Sequence, residues 1–249
     1  MKFQIQVILM IIMLFFTTIN STQQTTLNVK AYIYSSSIKI SMEIRLNSTL
    51  YEKIKISKYL NETIIPKAVI NYLNSLGFKD ASYHKPFLAL RDETKSLIAS
   101  FLLSGSSVVS YEFKENLTTS YKVNLVWRKF KLTISEDERK ILDIDFSKYF
   151  GAPLKNWNKI NYTENGATKP ALHYKYEFED TSSEFYVVLP EKAEITHIGV
   201  DSFNFIVPTS ISDKILASPL WILAVIILVD VLALIYRHVS WKAPIKRGE

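Results

Sequence analysis

Asp143 and Asp145 stand two residues apart, and in type and spacing they are the residues here best suited to chemistry. Two carboxylates on one face of a strand can act as general acid and base on a glycosidic bond, or bind Ca²⁺. Their neighbours argue against it. Leu142, Ile144 and Phe146 alternate with them as a buried face, so a solvated outer face accounts for both acids. His84, His173, His197 and His238 show no metal-ligand spacing. The stretch Ser104-Gly105-Ser106-Ser107 lacks the flanking glycines of a nucleophile elbow. There is no phosphate-cradling glycine loop, no dinucleotide fingerprint and no zinc motif. Cysteine is absent, which excludes disulfides, thiolate metal sites and a cysteine nucleophile. The expectation is a protein without catalytic, metal or cofactor residues. Tyrosine is abundant, and the Tyr174/Tyr176 pair suits either sugar stacking or, more often, sheet packing.

A different chemistry is written more clearly. Asn-X-Thr occurs at Asn20, Asn47, Asn61, Asn116 and Asn161. With the Asn and Thr content of this chain, random placement yields about 0.8 such triplets. Asn47 follows a strand pattern, Asn61 stands at a helix entrance, Asn116 lies in the turn between two strand patterns and Asn161 sits in a polar loop. Exposed positions of this kind accommodate a bulky glycan. Asn47, Asn61, Asn116 and Asn161 are therefore the expected glycosylation sites, although a helix cap at Asn61 or a turn at Asn116 would use the same residue type. Asn20 lies at the exit of a signal segment and is not counted among them.

Glycosylation needs an extracytoplasmic address, and both ends of the chain supply one. Residues 215–236, ILASPLWILAVIILVDVLALIY, form an almost unbroken apolar run followed by Arg237, Lys242, Lys246 and Arg247. A helix of that length rises about 33 Å, against a hydrocarbon core of roughly 30 Å. The basic cluster beyond it marks the cytoplasmic side. At the other end, Lys2 precedes the apolar block Val7 to Phe16 and a polar exit, the layout of a secretory signal peptide over 1–22. An uncleaved N-terminal anchor is the alternative; either way the middle of the chain lies outside. Asp230 interrupts the apolar run, where an acid costs about 2.5 to 3.5 kcal/mol. It either leans toward the inner headgroups or pairs with a cation on another membrane helix.

The formal charge of +6 belongs partly to the ends. The segment between them carries both signs nearly in balance and no basic block interleaved with aromatics, so nucleic acid is not an expected partner.

The ectodomain reads mostly as strands. Ile38, Ile40, Met42, Ile44 and Leu46 alternate with Lys39, Ser41, Glu43 and Arg45, and Leu27 to Ile33 repeat the pattern, which predicts a hairpin. Ile65, Val69, Tyr72, Leu73 and Leu76 fall at helical spacing, with Pro66 in the first turn and Gly77 at the stop. Phe87 to Leu103 fits a helix or two strands equally. Tyr121, Val123, Leu125 and Trp127 share one parity and Phe130, Leu132 and Ile134 the other, so a bulge or break is required near Arg128-Lys129. Phe185 to Leu189 is apolar on both faces, as in a central strand.

The fold class expected is mainly β (α+β): a β-sandwich-like ectodomain with one helical insertion, plus a single C-terminal transmembrane helix. Its parts are a signal peptide (1–22), β-rich segments 23–135, with a helix near 65–76, and 136–210, continuous or separate, a membrane helix (215–236) and a basic tail (237–249). The function expected is that of a non-catalytic type I cell-surface glycoprotein in envelope assembly, adhesion or partner binding. Its partners are the membrane and a further membrane protein reached through Asp230 or the ectodomain. The alternatives are an accessory subunit of a transporter or glycan-processing complex, and a membrane-tethered hydrolase using Asp143 or Asp145.

Overall fold

The computed structural model describes residues 25–58, 60–114, 118–136, 138–179, 181–208 and the backbone of 220–241, with side chains in the last segment over 225–236. The signal segment, Asn20, Asn116, the stretch 209–219 and Lys242, Lys246 and Arg247 lie outside these residues, as does the side chain of Arg237.

Period-two alternation builds the first hairpin. In β1 (Thr26–Ile33) and β2 (Ser37–Arg45), every second side chain is buried. The backbone N–H of Tyr34 donates to the carbonyl of Ser37 to close the turn. Val29 lies opposite Met42, and Ala31 opposite Ile40. Slipping either strand by one residue would turn this apolar set to solvent, so the burial fixes the register.

The ambiguous stretch resolves into two strands, β3 (Ser82–Arg91) and β4 (Ser96–Ser104). The other strands are β5 (Val109–Lys114), β6 (Thr118–Asn124), β7 (Lys131–Glu136), β8 (Arg139–Asp145), β9 (Asn158–Glu164), β10 (Ala167–Phe178), β11 (Thr181–Val188), β12 (Glu194–Ile198) and β13 (Ser202–Pro208). Seven of them form a sheet in the order β3-β4-β2-β1-β11-β10-β9, four form a second sheet β12-β13-β6-β5, and β7 pairs with β8 alone. Only the β1–β11 pairing is parallel within the large sheet. The β1–β11 and β6–β13 pairings each join chain from before and after residue 135, and both sheets feed one contiguous core. The molecule is thus mainly β, with several sheets and few helices, as the alternation predicts.

The change of parity after Trp127 is made by a 3-10 turn, Val126–Lys129, which carries the chain from the small sheet into the β7–β8 hairpin. Val123, Leu125, Trp127, Phe130, Leu132 and Ile134 are all buried as a result. The helix expected near 65–76 is α2 (Ile64–Ser75), and Gly77 ends it at φ +92°. There Gly77 N–H donates to Asn74 O and Phe78 N–H to Leu73 O, a pairing that satisfies two terminal carbonyls and needs a left-handed residue between them.

A second helix, α1 (Ser48–Ile56), precedes it, where the sequence pattern predicts a single helical insertion. Its buried stripe is only Leu50, Tyr51 and Ile54, too short to register as a helical period, and Ile54 and Ile56 mimic strand alternation. A further short helix, α3 (Phe146–Phe150), follows β8, and the last is α4 (Leu220–Trp241). Among the described residues no helix is long and apolar enough to cross a membrane. The described side chains of α4, 225–236, cover about 18 Å of rise, while its whole backbone covers about 33 Å.

Candidate functional site

The inner face of the large sheet is buried, and its other face carries a concentrated set of interacting polar and aromatic groups. Because Val29, Ala31 and Ile33 point inward, Lys30 and Tyr32 of β1 point outward. The pairing of β11 with β10, and of β10 with β9, brings Tyr186, His173, Tyr162 and Glu164 to the same side. Tyr32 reaches across two intervening strands and donates its hydroxyl to both Glu164 oxygens, at 3.0 and 2.9 Å. Tyr162 donates to Glu164 Oε1 at 3.2 Å, and Lys30 Nζ lies 3.5 Å from the same oxygen. The Lys30 ammonium also sits 5.4 Å from the centre of the Tyr162 ring. His173 stacks on Tyr186 at 4.4 Å, and Tyr186 meets Tyr162 at 5.3 Å.

The electrostatics suit binding better than reaction. Burial opposes ionisation of Glu164, yet the Tyr32 hydroxyl, the Lys30 charge and Tyr162 hold its carboxyl below the usual range. Burial, then the bond to Glu164, pushes the Tyr32 phenol well above its ordinary value. Burial, then Glu184, which accepts from the Tyr186 hydroxyl at 2.7 Å, pushes Tyr186 up to about 12. Both phenols therefore stay protonated near neutral pH and serve as donors, not nucleophiles. Burial lowers the pKa of His173, and its buried Nε2 has no hydrogen-bond partner. Asn28 Oδ1, on the same face, is buried and unpartnered too.

Little in the local pattern points to this face. Tyr162 lies inside a sequon, Tyr186 in a run apolar on both sides, and Glu164 is 132 residues from Tyr32. The Tyr174/Tyr176 pair instead packs inward, Tyr174 stacked on Trp157 at 5.4 Å and Tyr176 edge-on to Tyr149 at 5.3 Å.

Asp143 and Asp145 are not brought together as a reacting pair. Asp143 accepts from Thr133 Oγ1 at 2.9 Å and from Lys140 at 3.2 Å, with Lys131 at 3.3 Å. Asp145 caps α3, accepting from the Ser147 N–H at 3.0 Å and its hydroxyl at 2.6 Å. Ser106 and Ser107 are held by Asp80, which accepts from Ser106 Oγ and Ser107 N–H, both at 2.8 Å. The Ser107 side chain, then its N–H and the Ser106 hydroxyl, keep the Asp80 carboxyl at about 2. Among the described residues no group of three His, Asp or Glu side chains is close enough to hold a metal ion.

Asn47 is exposed and accepts from Leu50 N–H at 2.8 Å, capping α1. Asn61 is exposed and accepts from both Thr63 N–H and Thr63 Oγ1. Asn161 lies in the edge strand β9, not in a loop, and is exposed there. Asp230 is exposed on α4, between exposed Val229 and Val231.

Arg128, which the parity change marks only as the place of a chain break, is fully buried, unlike any other charged side chain among the described residues. Arg128 has no exposed side-chain surface and lies 2.8 Å from Asp201 Oδ1 through Nη1. It donates to the carbonyls of Phe150, Leu125 and Ala152 at 2.9, 3.1 and 2.9 Å. Its guanidinium is 5.7 Å from the Trp157 ring centre. Such a hub locks the 3-10 turn, the end of α3 and the turn before β13 together. It is structural.

No protein-family model, curated protein or solved structure matches this chain.

Proposed function

We propose that this protein is a single-pass, membrane-anchored cell-surface glycoprotein whose sandwich-like ectodomain works by binding, not catalysis. One observation carries the reading. The large apolar side chains of α4 from Val225 to Tyr236 expose between 45% and 77% of their surface. Five consecutive ones, Val225 to Val229, go more than once round the helix, leaving no polar side to face water. A helix apolar on all sides is stable only when something apolar surrounds it, and lipid is the solvent in which its backbone is also satisfied. Arg237, Lys242, Lys246 and Arg247 then mark the cytoplasmic end. The β-rich body lies outside, where exposed Asn47, Asn61 and Asn161 meet the glycosylation machinery. The Tyr32–Glu164–Tyr162–Lys30 face offers donors, rings and one carboxylate to a partner.

Alkaline carbonate extraction of native membranes, with protease added to intact cells, tests this. The protein should stay with the membrane and lose its ectodomain to protease. Release by carbonate without detergent would refute the anchoring.

Asp230 favours a second reading, as an accessory subunit of a larger membrane complex. A carboxylate exposed among apolar side chains is relieved if a Lys, Arg or His of a neighbouring helix meets it. Asp230→Leu should then shrink the complex extracted in mild detergent; an unchanged size removes this reading.

A further inference from the structure

The strands of the small sheet end on an exposed aromatic patch. Register places Phe205, Tyr121 and Tyr111 in one row across β13, β6 and β5, with Val207, Thr119 and Phe113 in the next. In the first row Phe205 is fully buried and stacks on Tyr121 at 4.8 Å, while Tyr111 is 52% exposed. In the second, Phe113 is 40% exposed and sits edge-on to Tyr111 at 5.7 Å. Tyr34, in the β1–β2 turn, is 49% exposed and lines an adjoining cavity with Tyr121, while its neighbour Ser35 lines the cavity of the patch itself. A cavity of about 280 Å³ runs between Tyr111, Phe113, Tyr121, Val207 and Pro208. The rings are therefore backed by core and presented outward. A water-facing strand would carry polar residues at these positions.

This patch is at the point where the chain leaves the ectodomain. Pro208, the last residue of β13, lies opposite Thr118, the first of β6. Only eleven residues separate Pro208 from Leu220, the start of α4. Fully extended they span about 40 Å, so Pro208, at the edge of the patch, cannot be further than that from the first turn of the helix. Tethering at such short range turns even a weak surface affinity into persistent contact. Tyrosine and phenylalanine are also the side chains that settle at the boundary between headgroups and acyl chains.

We infer that the Tyr34–Tyr111–Phe113 patch is a lipid-contact surface that seats the ectodomain on the outer leaflet, an inference that rests on the membrane anchoring of α4. The seating sets which way the large sheet points and holds the Tyr32–Glu164 face at a fixed attitude to the membrane. It also bears on the sequon at Asn116, which lies in the sequence between Lys114, the last residue of β5, and Thr118, which pairs with both Lys114 and Pro208. A glycan there would compete with the lipid for the patch, so the seating requires that this one of the four expected sites carry none.

The chain has no cysteine, so single labels can be placed without background. A fluorophore is attached at Phe113→Cys, at Tyr34→Cys, and at Val200→Cys as control. Val200 is 57% exposed and precedes the opposite end of β13. The full-length chain is reconstituted in phosphatidylcholine vesicles and quenched by lipid brominated near the headgroup or by aqueous iodide. Positions 113 and 34 should be quenched by brominated lipid about threefold or more above position 200, with the order reversed for iodide. Vesicle-bound protein with all three labels equally open to iodide refutes the seating and leaves the anchoring intact. Labels at 113 and 34 shielded from both quenchers place protein on the patch, a second copy or another chain, and overturn the lipid assignment. Protein that floats free of the vesicles refutes the anchoring and the seating with it. A glycan found on Asn116 in membrane-extracted protein also overturns the seating.

Discussion

Replacing Arg128 by Met keeps much of the side-chain length beneath Trp157 and removes the charge and all its donors. The carbonyls of Phe150, Leu125 and Ala152 each lose a bond of 2.9 to 3.1 Å, worth about 1 kcal/mol apiece. The ion pair with Asp201 is lost as well, although Lys129, 2.6 Å from the same oxygen, still serves that carboxylate. The sum falls within the roughly 3–5 kcal/mol typical of breaking a buried pair from one side. For an ectodomain of this size that corresponds to a fall in Tm of about 6–20 °C. The assay is thermal unfolding of full-length protein in mild detergent, followed by near-UV circular dichroism, where Trp127 and Trp157 report. Lys129→Met is the comparison, because Lys129 is partly exposed and, among the described residues, bonds Asp201 alone, so its fall should be about 1 kcal/mol or less. A fall for Arg128→Met below about 3 °C, or one no larger than for Lys129→Met, would refute the idea that the guanidinium pins three chain segments. Acid supplies a second readout. Burial opposes ionisation of Asp201, but Lys129 and Arg128 depress its folded-state pKa. Its contribution is therefore complete above the unfolded carboxylate value of about 3.9 and is lost as pH falls through the folded value. Asp201→Asn should lower Tm at pH 7 and flatten its decline below about pH 4.

Gly105→Ala should destabilise by about 1–3 kcal/mol, since φ is +140° and a Cβ would lie 2.9 Å from the Asp80 carbonyl oxygen; a Tm within error of the parent would contradict this. Asn47→Asp should abolish a glycan at that site while preserving the α1 cap, whereas Asn47→Ala should lose both and cost a further ~1 kcal/mol, as glycopeptide mass and Tm together report. Tyr51→Phe removes a hydroxyl that donates to Asp92 Oδ1 at 3.0 Å from a buried ring, and chemical denaturation should register a loss of about 0.5–1.5 kcal/mol. His173 is disfavoured as a cation by burial, so the unfolded chain binds a proton more readily and stability falls as pH drops below about 6.5; His173→Phe should reduce that slope between pH 7 and 5.

Residues close in sequence were the legible ones. Strict alternation in Leu27 to Ile33 and Ile38 to Leu46 identified β1 and β2, because one face of each strand is buried along its whole length. The 3.6-residue spacing from Ile65 to Leu73, with Gly77 after it, gave α2, since the helix signal and its stop lie within a dozen positions. The parity change between Trp127 and Phe130 required a break, and the 3-10 turn is that break. The thirteen-strand arrangement was not legible, because the parallel pairing of β1 with β11 joins residues more than 150 positions apart and local pattern holds no record of it. The outward face was hidden for the same reason. Tyr32, Tyr162 and Glu164 are ordinary residues of alternating strands until β9, β10 and β11 fold beside β1 and set the two hydroxyls on one carboxylate.

By itself the sequence determined the β character of the body, the long apolar stretch near the C-terminal end and the Asn-X-Thr triplets, all properties of contiguous residues. Tertiary structure alone decided that Arg128 is a buried hub, that Asp143 and Asp145 serve local hydrogen bonds, and that the exposed aromatic rings gather where the chain departs toward α4. Burial and convergence depend on which distant strands become neighbours, and that choice is made by the whole core together.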